Sequence, residues 1–394
     1  MSVSLWMDQG RTLNSEAFDL VIVGGGIAGL SAAYWLAKSE PSFKIALIEK
    51  YRLGDGATGR NAGFITCGSV EHFNRLVENF GKEKALEIWQ FSEENLRLLK
   101  KEIIEGQEGD LLFEHFGSFS LASTEKEFSE LKESAALMDN MNIAVEVLER
   151  AAIQKRLGAE EFVGGIKYKN DASIHPLKLL LAIKKKIEKE FPKVEFFENH
   201  EVYEISTLGE DRIVKTRARW FTCPMVVMAT NGYSPQIHQY FKNKIFPTRG
   251  QILAIGPVER FMEGPCYANF VLDYFRQLPT GELVIGGFRQ LQKDVEVGYS
   301  DEITDVIQEA LEDFLKKHIP KVKSAKITHR WSGIMGFSAD GQPLVGALPT
   351  DNQVAFLGGF TAHGLGLAFH GGKVLAEGLM GEKIPEFLSA KRFN

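Results

Sequence analysis

The chain has 394 residues, of which 44% are hydrophobic and 25% are charged, and its formal net charge is −6. This composition is typical of a soluble globular protein, and the length allows two domains or one large domain with an insertion. The negative balance offers no basic surface for nucleic acid, so we expect no nucleic-acid partner.

The sequence shows no clear pattern for a membrane span, a secretory signal, a disulfide framework or a zinc site. No apolar run approaches the roughly 18 residues that span a bilayer, and the amino terminus lacks the basic-then-apolar order of a secretory signal. Cys67, Cys223 and Cys266 lie far apart, without a C-x-x-C pair, which favours neither a disulfide framework nor a zinc site. We therefore expect no membrane span, no bound metal and a cytoplasmic location.

The first predicted elements form a βαβ unit. Residues 18–23 are an apolar run that predicts a buried strand, and residues 27–38 have the apolar spacing of a helix. Residues 44–49 then predict a second buried strand. Such a unit is the usual setting of a nucleotide-binding turn.

The turn between this strand and helix has the sequence GGGIAG. Gly24, Gly26 and Gly29 satisfy the pattern G-x-G-x-x-G, which allows a tight turn and brings backbone amides close to a pyrophosphate at the helix amino end. Glu49, at the end of the second strand, is placed to accept hydrogen bonds from a ribose. The pattern predicts dinucleotide binding but does not choose between FAD and NAD.

The next segment, LGDGATGRNAG (53–63), is rich in small residues. Their size lets backbone amides approach a ligand, and Arg60 supplies a cation. A flexible surface loop is the alternative interpretation.

The middle of the chain mixes predicted helices and strands without an internal repeat or a low-complexity linker. The predicted helices cover residues 70–106, 125–140, 177–189 and 301–318. The predicted strands cover residues 115–122, 201–206, 212–220, 224–232, 251–255, 269–274 and 282–287. Two of these, 201–206 and 212–220, alternate like an antiparallel hairpin, and we expect any second domain to be an insertion into the first.

A second strand, glycine-rich turn and helix are predicted near the carboxyl end, at GGFTAHGLGLAFH (358–370). The order GGGIAG, GATGRNAG, MATNG, FSADGQPLVG and GGFTAHGLGLAFH resembles the FAD-dependent family that contains glycine oxidase, D-amino-acid oxidase and sarcosine oxidase. Within that family the resemblance is greatest to the gamma-glutamylputrescine oxidoreductase type.

The resemblance implies an α/β (α+β) fold, with a Rossmann-like FAD-binding domain and an inserted, mainly antiparallel-sheet substrate domain. The implied FAD-binding domain is discontinuous and comprises residues 16–93, 172–240 and 328–394. The implied substrate domain comprises residues 94–171 and 241–327.

The resemblance also implies which residues hold FAD. The first turn would hold the pyrophosphate, Glu49 the ribose, the loop 58–63 the flavin, the backbone of Val202 the adenine, and the turn 363–366 the pyrimidine edge of the flavin. The full implied set is Gly24, Gly26, Ile27, Ala28, Gly29, Glu49, Lys50, Arg52, Ala57, Thr58, Gly59, Arg60, Asn61, Ala62, Gly63, Val202, Ala229, Thr230, Asn231, Gly232, Gly333, Ile334, His363, Gly364, Leu365 and Gly366.

Elementary electrostatics supports the second turn as a flavin site. A helix amino end carries roughly half a positive charge. Negative charge develops near N1 and the C2 carbonyl of a flavin that accepts hydride, so oriented amides there stabilise the reduced form. NAD chemistry requires no such feature, which favours FAD and nearly excludes an NAD-dependent dehydrogenase.

The substrate is not expected to be a free α-amino acid. Arginines that clamp a substrate carboxylate in the family fall here on Met335 and Ala362, although Arg276 or Arg249 could serve instead. The cysteine that binds flavin covalently in sarcosine oxidases falls on Ile334, so we expect non-covalent FAD. The lysine linked to oxygen reactivity falls on Val284, which leaves oxygen or another acceptor open.

Three residues are candidates for catalysis. Tyr274 and Arg276 share one face of a predicted strand and could line the substrate chamber, or could be structural. His363 could contact substrate or handle a proton, or could cap the helix. Trp331 and Phe64 are candidate aromatic walls or core residues.

The predicted function is FAD-dependent oxidation of a primary or secondary amine, similar to gamma-glutamylputrescine. A neutral amine transfers hydride to flavin N5, and water hydrolyses the imine; an apolar chamber favours the neutral amine. One alternative is an amino-acid or hydroxy-acid oxidoreductase of the same fold. Another is a flavin-bound scaffold without turnover. The oligomeric state stays open.

Overall fold

The computed structural model describes residues 4–12, 15–269 and 273–393. The chain forms two compact units. The first comprises Met1–Gly59, Leu179–Thr248 and Met335–Asn394, and the second comprises Arg60–Lys178 and Arg249–Ile334. The chain therefore leaves the first unit twice and returns to it twice.

The helices are α1 (Leu5–Thr12), α2 (Ile27–Ser39), α3 (Val70–Phe80), α4 (Lys82–Leu99), α5 (Glu125–Asn140), α6 (Arg150–Leu157), α7 (Pro176–Glu190), α8 (Ser234–Ile237), α9 (Asp305–His318) and α10 (Gly364–Leu379). The strands are β1 (Glu16–Ala17), β2 (Leu20–Val23), β3 (Ile45–Ile48), β4 (Phe64–Ile65), β5 (Ser118–Ala122), β6 (Val145–Glu149), β7 (Gly164–Tyr168), β8 (Ala172–Ser173), β9 (Val194–Phe197), β10 (Val202–Leu208), β11 (Asp211–Thr216), β12 (Trp220–Cys223), β13 (Val226–Met228), β14 (Ile245–Ile255), β15 (Cys266–Ala268), β16 (Asp273–Gln277), β17 (Leu283–Gly286), β18 (Ile327–Ser338), β19 (Leu344–Leu348) and β20 (Asp351–Gly358).

The main sheet of the first unit has the strand order β19-β20-β13-β2-β3-β9. All neighbours are parallel except β19 and β20, which are antiparallel. The strands β2 and β3 are apolar and wholly buried, as expected for a parallel sheet covered on both faces. The predicted βαβ unit is therefore confirmed.

Helices α2 and α10 pack closely against each other in this unit. A Cβ atom at Gly372 would lie 2.7 Å from the Ser31 carbonyl carbon, so the glycine permits the close approach. The aromatic rings of Tyr34 and Phe369 stack across the contact, with centroids 5.6 Å apart.

A smaller sheet of the first unit has the order β1-β12-β11-β10. Strands β10 and β11 pair antiparallel, with Ile205 opposite Val214. The hairpin predicted from the alternating pattern is confirmed.

The second unit is built on the sheet β18-β14-β17-β16-β15-β5-β7-β6, in which most neighbouring pairs are antiparallel and β15 pairs with β5 in parallel. Alternate residues such as Leu253, Phe275 and Ile285 join Leu311 and Leu315 of α9 in one buried cluster. The fold class expected from the sequence, a Rossmann-like part combined with a mainly antiparallel sheet, is confirmed.

Residues 60–93 lie in the second unit, whereas the expected FAD-binding domain included them. The physical reason is that Phe73 of α3 and Trp89 of α4 pack in one cluster with Phe128 and Tyr168 of the second unit. The boundaries of independently folding domains remain a prediction.

Helix α9 is shorter at its amino end than predicted. Residues 301–304 precede it because the amide of Thr304 donates to Oε1 of Gln251, at 3.0 Å, and its hydroxyl accepts from Nε2 of the same side chain, at 2.9 Å. The strand predicted at 269–274 falls partly on residues 270–272, which lie outside the described residues.

In the described part of the chain, no helix is both long and apolar enough to cross a membrane.

Candidate active site

The carboxyl ends of four parallel strands meet at one edge of the main sheet of the first unit. Gly24 follows β2, Glu49 follows β3, Ala229 follows β13, and β20 ends at Gly358. Ligands of open α/β sheets bind at such an edge. Both glycine-rich turns found in the sequence therefore belong to one edge of one sheet.

The first turn admits no side chain at its closest contacts. A Cβ atom at Gly24 would lie 2.6 Å from the carbonyl oxygen of Ala229, and one at Gly29 would lie 1.8 Å from the carbonyl oxygen of Gly24. Backbone thus packs directly on backbone where the pyrophosphate is expected, as the spacing of the glycines predicts.

The start of α2 is also contacted by the following loop. The hydroxyl of Thr58 accepts a hydrogen bond from the amide of Ile27, at 2.9 Å. The predicted site residues Thr58 and Ile27 are thus brought together, and one of the orphan amides of this helix end is satisfied within the chain.

Glu49 faces the same turn. Its Oε2 accepts from the amide of Gly25 at 2.7 Å, and its Oε1 accepts from the amide of Tyr51 at 3.0 Å. Burial raises the pKa of the Glu49 carboxyl, although these amide hydrogen bonds act in the opposite direction. Each carboxylate oxygen has a second lone pair, so the group can still accept from ribose hydroxyls.

The basic residues after Glu49 have partners within the first unit. The ammonium of Lys50 lies 2.9 Å from Glu201 and the backbone amide of Arg52 donates to Asp55 at 3.2 Å. Val202, the expected adenine contact, begins β10 and is buried. Lys50, Arg52 and Val202 thus all lie in the first unit, close in sequence to Glu49 or to the salt-bridge partner of Lys50.

The second turn, between β20 and α10, has an unusual backbone. Thr361 and Ala362 are both left-handed, with φ of 47° and 71°, although neither is glycine. Nδ1 of His363 lies 2.7 Å from the carbonyl oxygen of Thr361, and since a carbonyl only accepts, Nδ1 carries the proton. The amides of His363 and Gly366 donate within the turn, to Phe360 and His363 respectively.

The first unit fits FAD on its own geometry. Two helices begin at the carboxyl edge of one parallel sheet, one after a backbone cradle that a Cβ atom would fill. A carboxylate lies at the end of the neighbouring strand, where a ribose of a dinucleotide belongs.

The second unit contains residues 60–63 of the loop that the sequence predicts to lie along the flavin. Nη1 of Arg60 donates to the carbonyl oxygen of Ser332 at 2.9 Å and lies 3.6 Å from Asp301, while the indole N–H of Trp331 donates to the carbonyl oxygen of Arg60 at 3.0 Å. The predicted residue Gly333 also lies against Arg60, since a Cβ atom there would be 3.0 Å from the arginine Cβ. An open groove of about 550 Å³ is lined by Arg60, Asp301, Glu302, Ile303, Arg330, Trp331 and Ser332.

Gly63 is the most confined position of this loop. Its φ is 78°, and a Cβ atom would lie 2.1 Å from the carbonyl oxygen of Ile174 and 2.8 Å from Nη2 of Arg276. Its amide donates to Oδ1 of Asn61 at 2.7 Å. The backbone here is held by groups from two distant parts of the second unit.

One face of the second unit's sheet forms an apolar wall beside this loop. Tyr274 lies opposite Gly286, and Arg276 lies opposite Val284, so the two candidates share a face as the strand alternation predicts. The wall contains Ala62, Ile252, Ala254 and Val284, with Phe64, Tyr274, Leu278 and Trp331 packed against it.

Tyr274 lies flat on this wall. A Cβ atom at Gly286 would be 2.4 Å from the tyrosine hydroxyl, and the ring packs edge-on against Phe64 with centroids 5.8 Å apart. Desolvation raises the pKa of Tyr274 to about 12, so the hydroxyl keeps its proton at neutral pH.

Arg276 is only 2% exposed. Its Nη2 donates to the carbonyl oxygen of Ile174 at 2.8 Å, whereas Nε and Nη1 have no hydrogen-bond partner among the described residues. Burial lowers the pKa of Arg276 to about 10, which still leaves it charged at neutral pH. A buried cation with two unsatisfied donors is costly unless an acceptor is supplied.

Arg249, the other arginine considered from the sequence, has a different environment. Its Nε and Nη2 bind the Glu296 carboxylate at 3.0 and 2.8 Å, and Glu296 is 1% exposed. Its charge is therefore neutralised inside the second unit.

Cys67 is buried too, and burial raises the pKa of its thiol, which disfavours the reactive thiolate.

Sequence reasoning missed a buried carboxyl group at Asp171. It is 3% exposed, accepts from the hydroxyl of Ser118 at 2.6 Å and from the amide of Cys67 at 3.4 Å, and burial raises its pKa to about 7. Its partners are distant in sequence, so the local pattern carries no signal for it.

Comparison with known proteins extends these observations. The family described as FAD dependent oxidoreductase matches residues 19–378. The chain is 25% identical to the gamma-glutamylputrescine oxidoreductase of Escherichia coli, over 94% of this chain and 86% of that protein. It is also 25% identical to the probable oxidoreductase OrdL of Haemophilus influenzae, over 93% of this chain and 84% of that protein.

A solved structure supports the fold. Glycine oxidase from Geobacillus kaustophilus superimposes with a TM-score of 0.79 at 19% identity, over 93% of this chain and 95% of that one.

Proposed function

The chain belongs to the FAD dependent oxidoreductase family and is an FAD-dependent enzyme, and we propose that it oxidises a primary or secondary amine of the gamma-glutamylputrescine kind. The main structural support is the edge of the first unit's sheet, where both glycine-rich turns and Glu49 come together. The choice of an amine is favoured by the relative of that name and by the residues Met335 and Ala362, which cannot clamp a carboxylate.

We assign the FAD-holding role in the first unit to the turn 24–29, Glu49 and the turn 363–366. The residues Arg60, Asn61, Ala62, Gly63, Gly333 and Ile334 of the second unit are proposed contacts of the flavin. The other expected contacts, including Lys50, Arg52, Val202 and Thr230, stay predictions.

FAD, when bound, supplies the two-electron acceptor for hydride from the carbon next to the amine nitrogen. The chain's own residues then have three tasks. The amino end of α10 offers positive potential to developing negative charge. The apolar wall excludes water and favours the neutral amine, and the protonated Tyr274 hydroxyl can donate a hydrogen bond.

A direct experiment tests this function. The purified protein is expected to be yellow or to take up added FAD, and anaerobic mixing with an amine panel should bleach the flavin absorbance. Admitting oxygen or an artificial dye afterwards identifies the acceptor, which stays open. A colourless protein that refuses FAD would contradict the cofactor site, and bleaching only by free amino acids would contradict the amine assignment.

One observation favours a second candidate, oxidation of an amino acid, in which the carboxylate is bonded to the carbon that loses hydride. Arg276 is a buried cation whose Nε and Nη1 lack acceptors among the described residues. A planar guanidinium pairs well with a carboxylate. The same amine panel distinguishes the two candidates when it contains amines with a carboxylate on the oxidised carbon, amines with a carboxylate far from that carbon, and amines with none.

A further inference from the structure

Asn231 connects three segments at the ligand edge of the first unit. It follows β13, and its Oδ1 accepts a hydrogen bond from the amide of Gly359, which follows β20, at 2.9 Å. Gly336 of β18 packs against the same side chain, since a Cβ atom there would lie 2.5 Å from Oδ1. The carboxamide therefore fills the space where the three backbones converge.

The segment that Asn231 contacts has a strained backbone. Gly359, Thr361 and Ala362 have φ of 71°, 47° and 71°, and left-handed conformations cost a non-glycine residue about 1 kcal/mol or more each. Such a turn persists only where surrounding contacts impose it.

Several contacts hold this turn to neighbouring segments of the first unit. The amide of Thr361 donates to the carbonyl oxygen of Gly336 at 3.0 Å, and its hydroxyl lies 3.3 Å from the Ser338 hydroxyl. The bond from Gly359 to Asn231 fixes the beginning of the same turn. The turn is thus held at its beginning and at its middle by side chain and backbone of neighbouring segments.

The orientation of α10 depends on this turn. His363 directly follows Ala362 and precedes the first residue of α10, Gly364, and its Nδ1 donates to the carbonyl oxygen of Thr361. If the turn relaxed, the first amide N–H groups of α10 would point in a different direction. Electrostatic stabilisation by fixed dipoles requires that they keep their direction.

We propose that Asn231 is a positioning residue that holds the turn 359–363, so that the amino end of α10 stabilises the reduced form of FAD. This proposal rests on the proposed function. It differs from the sequence-based expectation for Asn231, because the side-chain oxygen serves the protein's own turn and not the nucleotide.

Asn231→Gly isolates the contribution of the carboxamide. Asn231 itself has φ of 44°, which glycine adopts without strain, so the substitution removes the side-chain acceptor and leaves the backbone conformation allowed. Asn243→Gly is the matched control, because Asn243 is also left-handed, with φ of 64°, and is exposed in the first unit.

The measurement is the midpoint potential of bound FAD, from anaerobic dye titration of the holoenzyme. We expect Asn231→Gly to bind FAD but to favour its reduced form at least tenfold less, which corresponds to a two-electron potential lower by about 30 mV or more. Asn243→Gly should match the unaltered protein. If Asn231→Gly does not fold, Thr361→Val, which removes the hydroxyl near Ser338, should lower the potential in the same direction.

Each outcome bears on the proposal. An unchanged potential in Asn231→Gly overturns it, and so does a folded variant that no longer takes up FAD, since Asn231 would then belong to the nucleotide cradle itself. Failure of the unaltered protein to bind FAD would instead contradict the proposed function.

Discussion

The candidate site of the first unit is formed mainly by backbone atoms, and that of the second unit mainly by side chains. In the first unit the site consists largely of backbone, because Gly24 and Gly29 pack against main-chain atoms where a phosphate is expected. In the second unit it consists of side chains on one sheet face, above all Tyr274 and Arg276. A backbone cradle leaves no room for an added atom, whereas the side chains of a sheet face can be replaced one at a time.

The largest expected effect comes from the backbone cradle. Gly29→Ala would place a Cβ atom 1.8 Å from the carbonyl oxygen of Gly24, so the turn must open. We expect complete loss of FAD uptake, measured as flavin absorbance per purified protein. Gly56→Ala is the control, because no atom lies within 4 Å of its added Cβ. Normal flavin content in Gly29→Ala would refute the cradle.

In the second unit, breaking a buried ion pair should have the next largest effect. Glu296→Gln leaves the Arg249 guanidinium buried without its carboxylate, and such losses cost about 3–5 kcal/mol of the free energy of unfolding. Urea unfolding measures this. Glu188→Gln, which disrupts a half-exposed pair with Lys184, should cost about 0.5 kcal/mol or less. Equal losses would show that burial of the pair is unimportant.

A pH-dependent effect is expected from Asp171. Its folded pKa of about 7 exceeds the ordinary value of about 4, so the folded state keeps a proton that the unfolded state releases. The free energy of unfolding should therefore fall as pH rises from about 4 to about 7, by at most roughly 4 kcal/mol. Asp171→Asn should flatten this slope, whereas Asp110→Asn, at an exposed carboxylate, should not. Parallel pH curves for Asp171→Asn and the unaltered protein would contradict the assignment.

The smallest expected effect concerns substrate choice at the wall. If Arg276 receives a carboxylate, Arg276→Met should raise KM about 10²-fold for a carboxylate-bearing amine and change it little for the matching amine without the carboxylate. Arg75→Met is the control, since Arg75 is exposed and pairs with Glu71 at 3.0 Å. Equal changes for both amines would leave Arg276 with a structural role only.

Sequence reasoning worked best where a structure depends on neighbouring residues. The βαβ unit, the hairpin of β10 and β11 and the helix over residues 125–140 were predictable, because apolar period and turn residues are local signals. The placement of residues 60–93 in the second compact unit has no such local signal, since Phe73 and Trp89 pack with side chains more than thirty residues away. Strand β6 and helix α6 were not predicted, because residues 145–157 show no strong local pattern.

By itself, the sequence determined the family, the cofactor and the two glycine-rich turns, because close approach of backbone to a phosphate permits only certain residues at certain spacings. Only the tertiary structure decided which charges are compensated. Arg249 and Arg276 are indistinguishable as letters, yet one faces Glu296 and the other has two donors without acceptors among the described residues. Such pairing depends on strand register and on segments far apart in the chain, and burial then sets the energy of each unmatched group.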